Sequence, residues 1–189
     1  MITIIYGGTS SGKSAYAEGL VCNSKYNYRY YLATMSSQDE ESKARIKRHR
    51  KLRSGKRFIT LEHPVDVKNA IGDIERIESG DFSTEDPYHK SNIVLLECMS
   101  NLLANEMFKG GVTQELDFCV NKILSDIQEL EAKVSELVIV TNNIFDDGIA
   151  YEAETKDYIR ALGAINSQLA LRANKVVEVT VGIPIVIKG

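Results

Sequence analysis

Eight consecutive residues, Gly7-Gly8-Thr9-Ser10-Ser11-Gly12-Lys13-Ser14, have the types and spacing that hold a phosphate chain. They satisfy G-x-x-x-x-G-K-[ST], between a strand-like run, Ile2–Tyr6, and a helical pattern that begins at Lys13. The glycines let the backbone curl until successive N–H groups point at phosphate oxygens. The helix N-terminus adds positive potential. Lys13 can bridge β and γ phosphates, and the Ser14 hydroxyl can ligate Mg²⁺. A magnesium site of this kind is completed by an acidic residue that ends a hydrophobic strand. Ile93-Val94-Leu95-Leu96-Glu97 supplies Glu97; the competing reading is a strand-end carboxylate that faces solvent.

A second constellation is the run Arg45-Ile46-Lys47-Arg48-His49-Arg50-Lys51-Leu52-Arg53, in a chain whose net charge is −3. Ile46 and Leu52 give a helix there little apolar face, so one reading is a solvated helix surface. The other is a phosphate-binding patch that carries a nucleophile. Cations crowded around an imidazole disfavour its protonated form, and a neutral imidazole can attack phosphorus. The arginines could stabilise the charge that develops and hold released pyrophosphate. His63 and His89 have no such surroundings.

Both constellations need a scaffold, and the apolar pattern describes one. Short apolar runs predict strands at Ile2–Tyr6, Tyr28–Ala33, Arg57–Leu61, Ile93–Glu97, Leu137–Thr141, Lys175–Val181 and Pro184–Ile187. Val138-Ile139-Val140 is continuously apolar and β-branched, as in a parallel strand covered on both faces. Helical patterns start at Lys13 and cover Gln38–Leu52, Val65–Glu78, Met99–Lys109, Thr113–Lys133 and Glu152–Ala173. The second of these opens with Asp39, Glu40 and Glu41 after the capping candidates Ser36 and Ser37, and closes on basic residues, as the helix dipole favours. Alternating strand and helix predicts an α/β fold with a mostly parallel sheet. The short spacer Gly182-Ile183 predicts a C-terminal antiparallel hairpin. Ser79–Ser91 reads as a surface loop, so residues 1–189 are expected to form one P-loop nucleotide-binding catalytic domain, a size that suits one domain.

Composition excludes several classes. The acidic balance argues against a general nucleic-acid binder, which carries a basic domain or stripe. Cys22, Cys98 and Cys119 are odd in number and far apart, which suggests neither a disulfide framework nor a zinc site. Reduced thiols in the cytoplasm are the simplest reading. The N-terminus lacks the basic region and cleavage site of a signal peptide, and no apolar run approaches the ~18 residues of a membrane span.

In order along the chain, the residues resemble the bifunctional adenosylcobinamide kinase / adenosylcobinamide-phosphate guanylyltransferase family of cobalamin biosynthesis. The resemblance is carried by the loop Gly7–Ser14, Ala17-Glu18, Tyr31-Leu32-Ala33-Thr34, an A-R-I-x-x-H-R-x-x-R segment from Ala44 to Arg53, and T-x-E-x-P at Thr60–Pro64. Leu95-Leu96-Glu97-Cys98, Asn101-Leu102-Leu103, Asn105 and a terminal Gly182-Ile183-Pro184 continue it. The loop alone is generic; the histidine segment followed by T-x-E-x-P is specific. The resemblance implies a RecA-like P-loop domain, helices on both faces of the sheet, and a homotrimer. It implies phosphorylation of adenosylcobinamide by a nucleoside triphosphate, ATP or GTP, then transfer of GMP from GTP through a guanylylated histidine, with Mg²⁺. His49 matches that histidine, and Thr34, Met35, Ser36, Arg50, Lys51, Leu52, Arg53, Glu62 and Glu97 match positions around the nucleotide.

The chain departs from the family pattern in its last third. The family's T-N-E-V-G stands here as Thr141-Asn142-Asn143-Ile144-Phe145, and R-x-F-R-D as Asp157-Tyr158-Ile159-Arg160-Ala161. The N-Q pair is Asn166-Ser167, and the tryptophan before T-x-E-x-P is Phe58. Two other readings therefore stand beside the first. One is a P-loop small-molecule kinase in which His49 is a bystander. The other is a nucleotide-binding regulatory protein with decayed catalysis.

Overall fold

The computed structural model describes residues 1–36, 47, 55–80, 91–143 and 151–189. One sheet contains β1 (Ile2–Gly7), β2 (Tyr28–Ala33), β3 (Ile59–Glu62), β4 (Asn92–Glu97), β5 (Glu136–Asn142), β6 (Lys175–Thr180) and β7 (Ile183–Lys188). Its order is β3-β2-β4-β5-β1-β6-β7. All pairings are parallel except β6 with β7, which form the expected terminal hairpin. The described helices are α1 (Lys13–Cys22), α2 (Ala70–Ser79), α3 (Met99–Met107), α4 (Leu116–Lys133) and α5 (Ala153–Arg172).

The continuous apolar runs become the doubly covered strands. Residues 93–96 of β4 and 137–140 of β5 are all fully buried. Each such side chain contributes about 1.5–3 kcal/mol relative to exposure. On one face, Ala17 and Val21 of α1 pack against Ile5, Leu95, Val138 and Val177. On the other, Ile74, Leu102, Ile127 and Ile165 bring α2 to α5 onto Ile4, Leu32, Val94 and Ile139. The helix after β1 thus leaves for one face, and those after β3, β4 and β5 for the other. Chain ends that diverge in this way open a crevice at the carboxyl edge of a parallel sheet, where ligands bind.

Several boundaries differ from the sequence pattern, each for a backbone reason. The strand expected from Arg57 starts at Ile59, because Arg57 is left-handed (φ 57°). The helix expected from Val65 starts late. Asp66 is left-handed (φ 50°), a 3₁₀ turn occupies Val67–Asn69, and α2 begins at Ala70. The helix expected from Thr113 begins at Leu116, since the Gln114 N–H folds back to the Met107 carbonyl (2.7 Å). The hairpin turn is Val181-Gly182, both with positive φ (46° and 82°), one residue earlier than expected. That is the turn whose twist matches two antiparallel strands. The helix expected over Gln38–Leu52 lies outside the described residues except Lys47, which is helical. Most of the loop expected over Ser79–Ser91 lies outside them too.

Asp66, Glu106 and Asp126 bring carboxylate oxygens within 4.8 Å of one another. The Lys122 ammonium sits among them, at 2.8, 2.6 and 3.1 Å. This is a structural ion cluster that ties α4 to α3 and to the turn before α2. Burial opposes the charge on Lys122, but its hydrogen bonds to Asp66, Glu106 and Asp126 outweigh that and hold it above the ordinary lysine range. The Lys122 hydrogen bond in turn holds Asp66 below the usual carboxylate range. The Asp66 contribution to stability is complete above the ordinary carboxylate pKa and is lost as pH falls through its lowered folded value. The Lys122 contribution is complete below the ordinary lysine pKa and is lost as pH rises through its raised folded value. Breaking such a cluster from one side leaves buried charge uncompensated, so Lys122→Met is expected to cost about 3–5 kcal/mol at pH 7 in urea denaturation. The deficit should shrink as pH falls through the lowered folded value of Asp66; a deficit independent of pH would contradict the ionic account.

Candidate active site

The phosphate loop is shaped by crowding at the end of β1. A Cβ on Gly7 would stand 2.5 Å from the Val179 carbonyl and 2.8 Å from Ser11 Oγ, so only glycine fits. Gly12 has φ 92°, the left-handed region that disfavours a side chain. The terminal hairpin supports the loop from outside. The Gly182 N–H donates to the Ser11 carbonyl (2.8 Å), and the Asn143 N–H donates to the Gly7 carbonyl (2.9 Å). Ser11 Oγ is buried with no hydrogen-bond partner among the described residues. Lys13 is 7% exposed, and its ammonium donates to the Gly8 carbonyl across the loop (2.9 Å). Burial pulls Lys13 below the ordinary lysine range, while Glu97 and Cys98 push the other way. An incoming phosphate would favour the charged form, as any nearby anion does.

The sheet carries Glu97 to the same place. β4 and β1 are not neighbours; β5 lies between them. The Ser14 hydroxyl nevertheless donates to Glu97 Oε1 at 2.6 Å. The first turn of α1 therefore reaches over the edge of the sheet to the end of β4. A hydroxyl and a carboxylate in contact beside a lysine form an oxygen-rich corner that fits Mg²⁺, which favours such hard ligands together with phosphate oxygens and water.

The pairing register sets Glu62, Ala33 and Glu97 side by side at the carboxyl edge. Glu62 is exposed there, and Met35 and Ser36 are half-buried. Thr34, just past β2, is fully buried. Its Oγ1 lies 2.8 Å from the Cys98 N–H, which donates to it, and 2.9 Å from the Cys98 carbonyl. Its own N–H donates to the Glu97 carbonyl (3.1 Å). Thr34 thus locks the ends of β2 and β4 together. Of the residues expected around a nucleotide, Gly7, Gly8, Thr9, Ser10, Ser11, Gly12, Lys13, Ser14, Thr34, Met35, Ser36, Glu62 and Glu97 all lie on loops, strand ends or the first turn of α1 at this edge. His49, Arg50, Lys51, Leu52 and Arg53 lie outside the described residues.

A further polar group borders the loop on the α3 side. Asn142, opposite Gly7 in the sheet, donates through Nδ2 to Ser100 Oγ (2.7 Å). Cys98 Sγ lies 3.1 Å from the same hydroxyl, and the Tyr158 hydroxyl donates to the Ser100 carbonyl (2.9 Å). Burial, and then Glu97, pushes the Cys98 thiol up. Burial, and then Cys98, pushes Tyr158 up to about 12. Both stay protonated near neutrality. Sequence reasoning gave no role to Ser100, Asn142 or Tyr158. Their signal was weak, because Ser100 and Asn142 sit at element ends, where polar residues are common, and Tyr158 lies in the second turn of α5 with nothing in its spacing to single it out.

A family model described as cobinamide kinase / cobinamide phosphate guanyltransferase matches residues 3–187. The chain belongs to this family. It is 31% identical over 201 residues to the bifunctional adenosylcobalamin biosynthesis protein CobU of Escherichia coli (strain K12), with both chains covered in full. It is 27% identical over 201 residues to the protein of the same name from Salmonella typhimurium (strain LT2), again with full coverage of both. The bifunctional adenosylcobalamin biosynthesis protein CobP of Pseudomonas aeruginosa is 26% identical over 189 residues, which cover all of this chain and 98% of that one. The family is one of transferases that use nucleotides, so the chain is an enzyme of that class. None of its described helices is long and apolar enough to cross a membrane.

Proposed function

We propose that residues 1–189 act as one P-loop catalytic domain in the cytoplasm that carries out both family reactions on a corrinoid. In the first, the corrinoid hydroxyl attacks the γ-phosphorus of ATP or GTP, the nucleoside diphosphate leaves, and the hydroxyl proton passes to solvent. In the second, His49 attacks the α-phosphorus of GTP and pyrophosphate leaves. The phosphate of adenosylcobinamide phosphate then attacks the same phosphorus, freeing the histidine and giving adenosylcobinamide-GDP. The observation that carries this reading is the convergence of Lys13, Ser14 and Glu97 at one corner of the sheet, in a chain whose family has these two activities.

Placement supports the following roles. The loop amides and Lys13 hold the phosphates. Ser14 and Glu97 would hold Mg²⁺, which neutralises charge on the phosphates when bound. Thr34, Met35, Ser36 and Glu62 border the nucleotide at the ends of β2 and β3. Arg50, Lys51, Leu52 and Arg53 flank His49 in sequence, where the basic residues can hold the phosphates of GTP.

The homotrimer is also part of this proposal, and β7 supports self-association. All of its residues are exposed, including Ile183, Ile185, Val186 and Ile187. Leu171 on α5 is 80% exposed as well. A cleft of about 470 Å³ adjoins this face, with Ile4, Tyr6, Val176 and Ile187 along one side and Gly163 and Ala170 of α5 along the other. An exposed apolar edge strand is an aggregation hazard unless something covers it. Pro184 and Lys188 discourage pairing along the edge itself, which leaves the face as the contact.

The decisive test is GTP labelled at the α-phosphate. Wild-type protein is expected to take up label that is acid-labile and alkali-stable, as a phosphoramidate is. His49→Ala should take up none yet keep phosphoryl transfer from γ-labelled nucleotide, whereas Lys13→Ala should lose both. No bound label on a protein that binds GTP would leave a plain kinase. For the assembly, Ile185→Lys should lower the mass in sedimentation velocity from trimer to monomer; an unchanged mass would remove β7 from the contact.

A further inference from the structure

Asn105 of α3 touches two loops at once. Its Nδ2 donates to the Thr34 carbonyl (2.7 Å) and to the Pro64 carbonyl (2.9 Å). A primary amide has two N–H donors, and here each meets a carbonyl. The two acceptors also fix the amide's orientation, since its oxygen could bond neither. One side chain therefore joins the segment that leaves β2 to the segment that leaves β3.

Both segments are tied elsewhere as well. Thr34 is bonded to the end of β4, as described above. The His63 N–H donates to the Ala33 carbonyl (3.1 Å), and His63 Nε2 lies 2.8 Å from Asp73 Oδ2 on α2. The His63–Ala33 bond already joins the two segments at the strand ends; Asn105 joins them one residue further out, from Thr34 to Pro64. Among the described residues, the Asn105 amide alone bridges the Thr34 and Pro64 carbonyls. The first loop carries Met35 and Ser36, and the second leaves β3 directly after Glu62; both border the phosphate corner without forming it.

We propose that Asn105 is a positioning residue that sets the distance between these two loops, and with it the seat of the guanylyl-donor nucleotide. It touches neither nucleotide nor acceptor; it acts through the Thr34 and Pro64 carbonyls. The Lys13, Ser14 and Glu97 corner is held by other contacts and does not depend on it. The inference rests on the two-reaction reading, because it assigns the loops to guanylyl transfer.

The informative variant is Asn105→Asp, which keeps the size and removes both donors. With full-length protein, the KM for GTP in guanylyl transfer to protein is expected to rise about tenfold or more, the loss that follows when two positioning hydrogen bonds go. Phosphoryl transfer from γ-labelled ATP should keep its kcat within about threefold, because its groups stay in place. Amide hydrogen exchange should quicken at Met35, Ser36 and Glu62 while remaining slow in β4 and β5. Asn105→Gln, which restores the donors on a longer arm, should recover part of the KM. An unchanged KM for GTP, or equal losses in both reactions together with faster exchange throughout the sheet, would overturn the proposal. If wild-type protein takes no α-label, the two-reaction reading falls, and exchange alone decides on Asn105. Quickening confined to the two loops would uphold the positioning role, and unchanged exchange would overturn it.

Discussion

The contact between the Ser14 hydroxyl and the Glu97 carboxylate is the constraint around which the edge of the sheet is arranged. It joins the first turn of α1 to the end of a strand two places away in the sheet. For that contact to form, β1 must end in a turn tight enough to send α1 over β5. Gly7 permits the turn, since any side chain there would meet the Val179 carbonyl. The terminal hairpin then braces the turn through Gly182. Residues near positions 7, 97 and 182 thus cooperate in one small volume, although the chain separates them widely.

The same corner explains the buried polar groups around it. Lys13 lies in a low-dielectric setting, where burial disfavours its charge and Glu97 restores part of it. Such a lysine gains most when a phosphate arrives, because the incoming anion replaces solvation that the site has already removed. Thr34 and Asn105 extend the rigid frame from the Ser14–Glu97 corner to the neighbouring loops. A frame of this kind keeps reacting groups in register without support from the nucleotide.

Much of this was legible in the sequence. The phosphate loop announced itself because glycine, lysine and serine at fixed spacing have few other uses. Glu97 was legible because four apolar residues precede it, and a buried parallel strand has to end where its carboxylate emerges. The hairpin was visible from Gly182, yet its turn fell one residue earlier because Val181 adopts a left-handed conformation that β-branched residues rarely take. The delayed starts of α2 and α4 were not legible. They depend on the Asp66 backbone and on a hydrogen bond from Gln114 to Met107, which propensity does not encode. The bridging role of Asn105 was hidden for a related reason, since a half-buried amide on a helix says nothing of the carbonyls that meet it. The cluster around Lys122 was hidden too, because its three carboxylates come from separate stretches of the chain.

The central claim is that Ser14 and Glu97 together make the metal corner of a nucleotide site, and calorimetric titration of GTP with and without Mg²⁺ tests it most directly. The account predicts that Mg²⁺ tightens GTP binding to wild-type protein by about tenfold or more, and that Glu97→Ala loses this gain while its metal-free affinity stays within about threefold. A Glu97→Ala protein that keeps the full magnesium effect would contradict the account and return Glu97 to the role of an ordinary strand-end carboxylate.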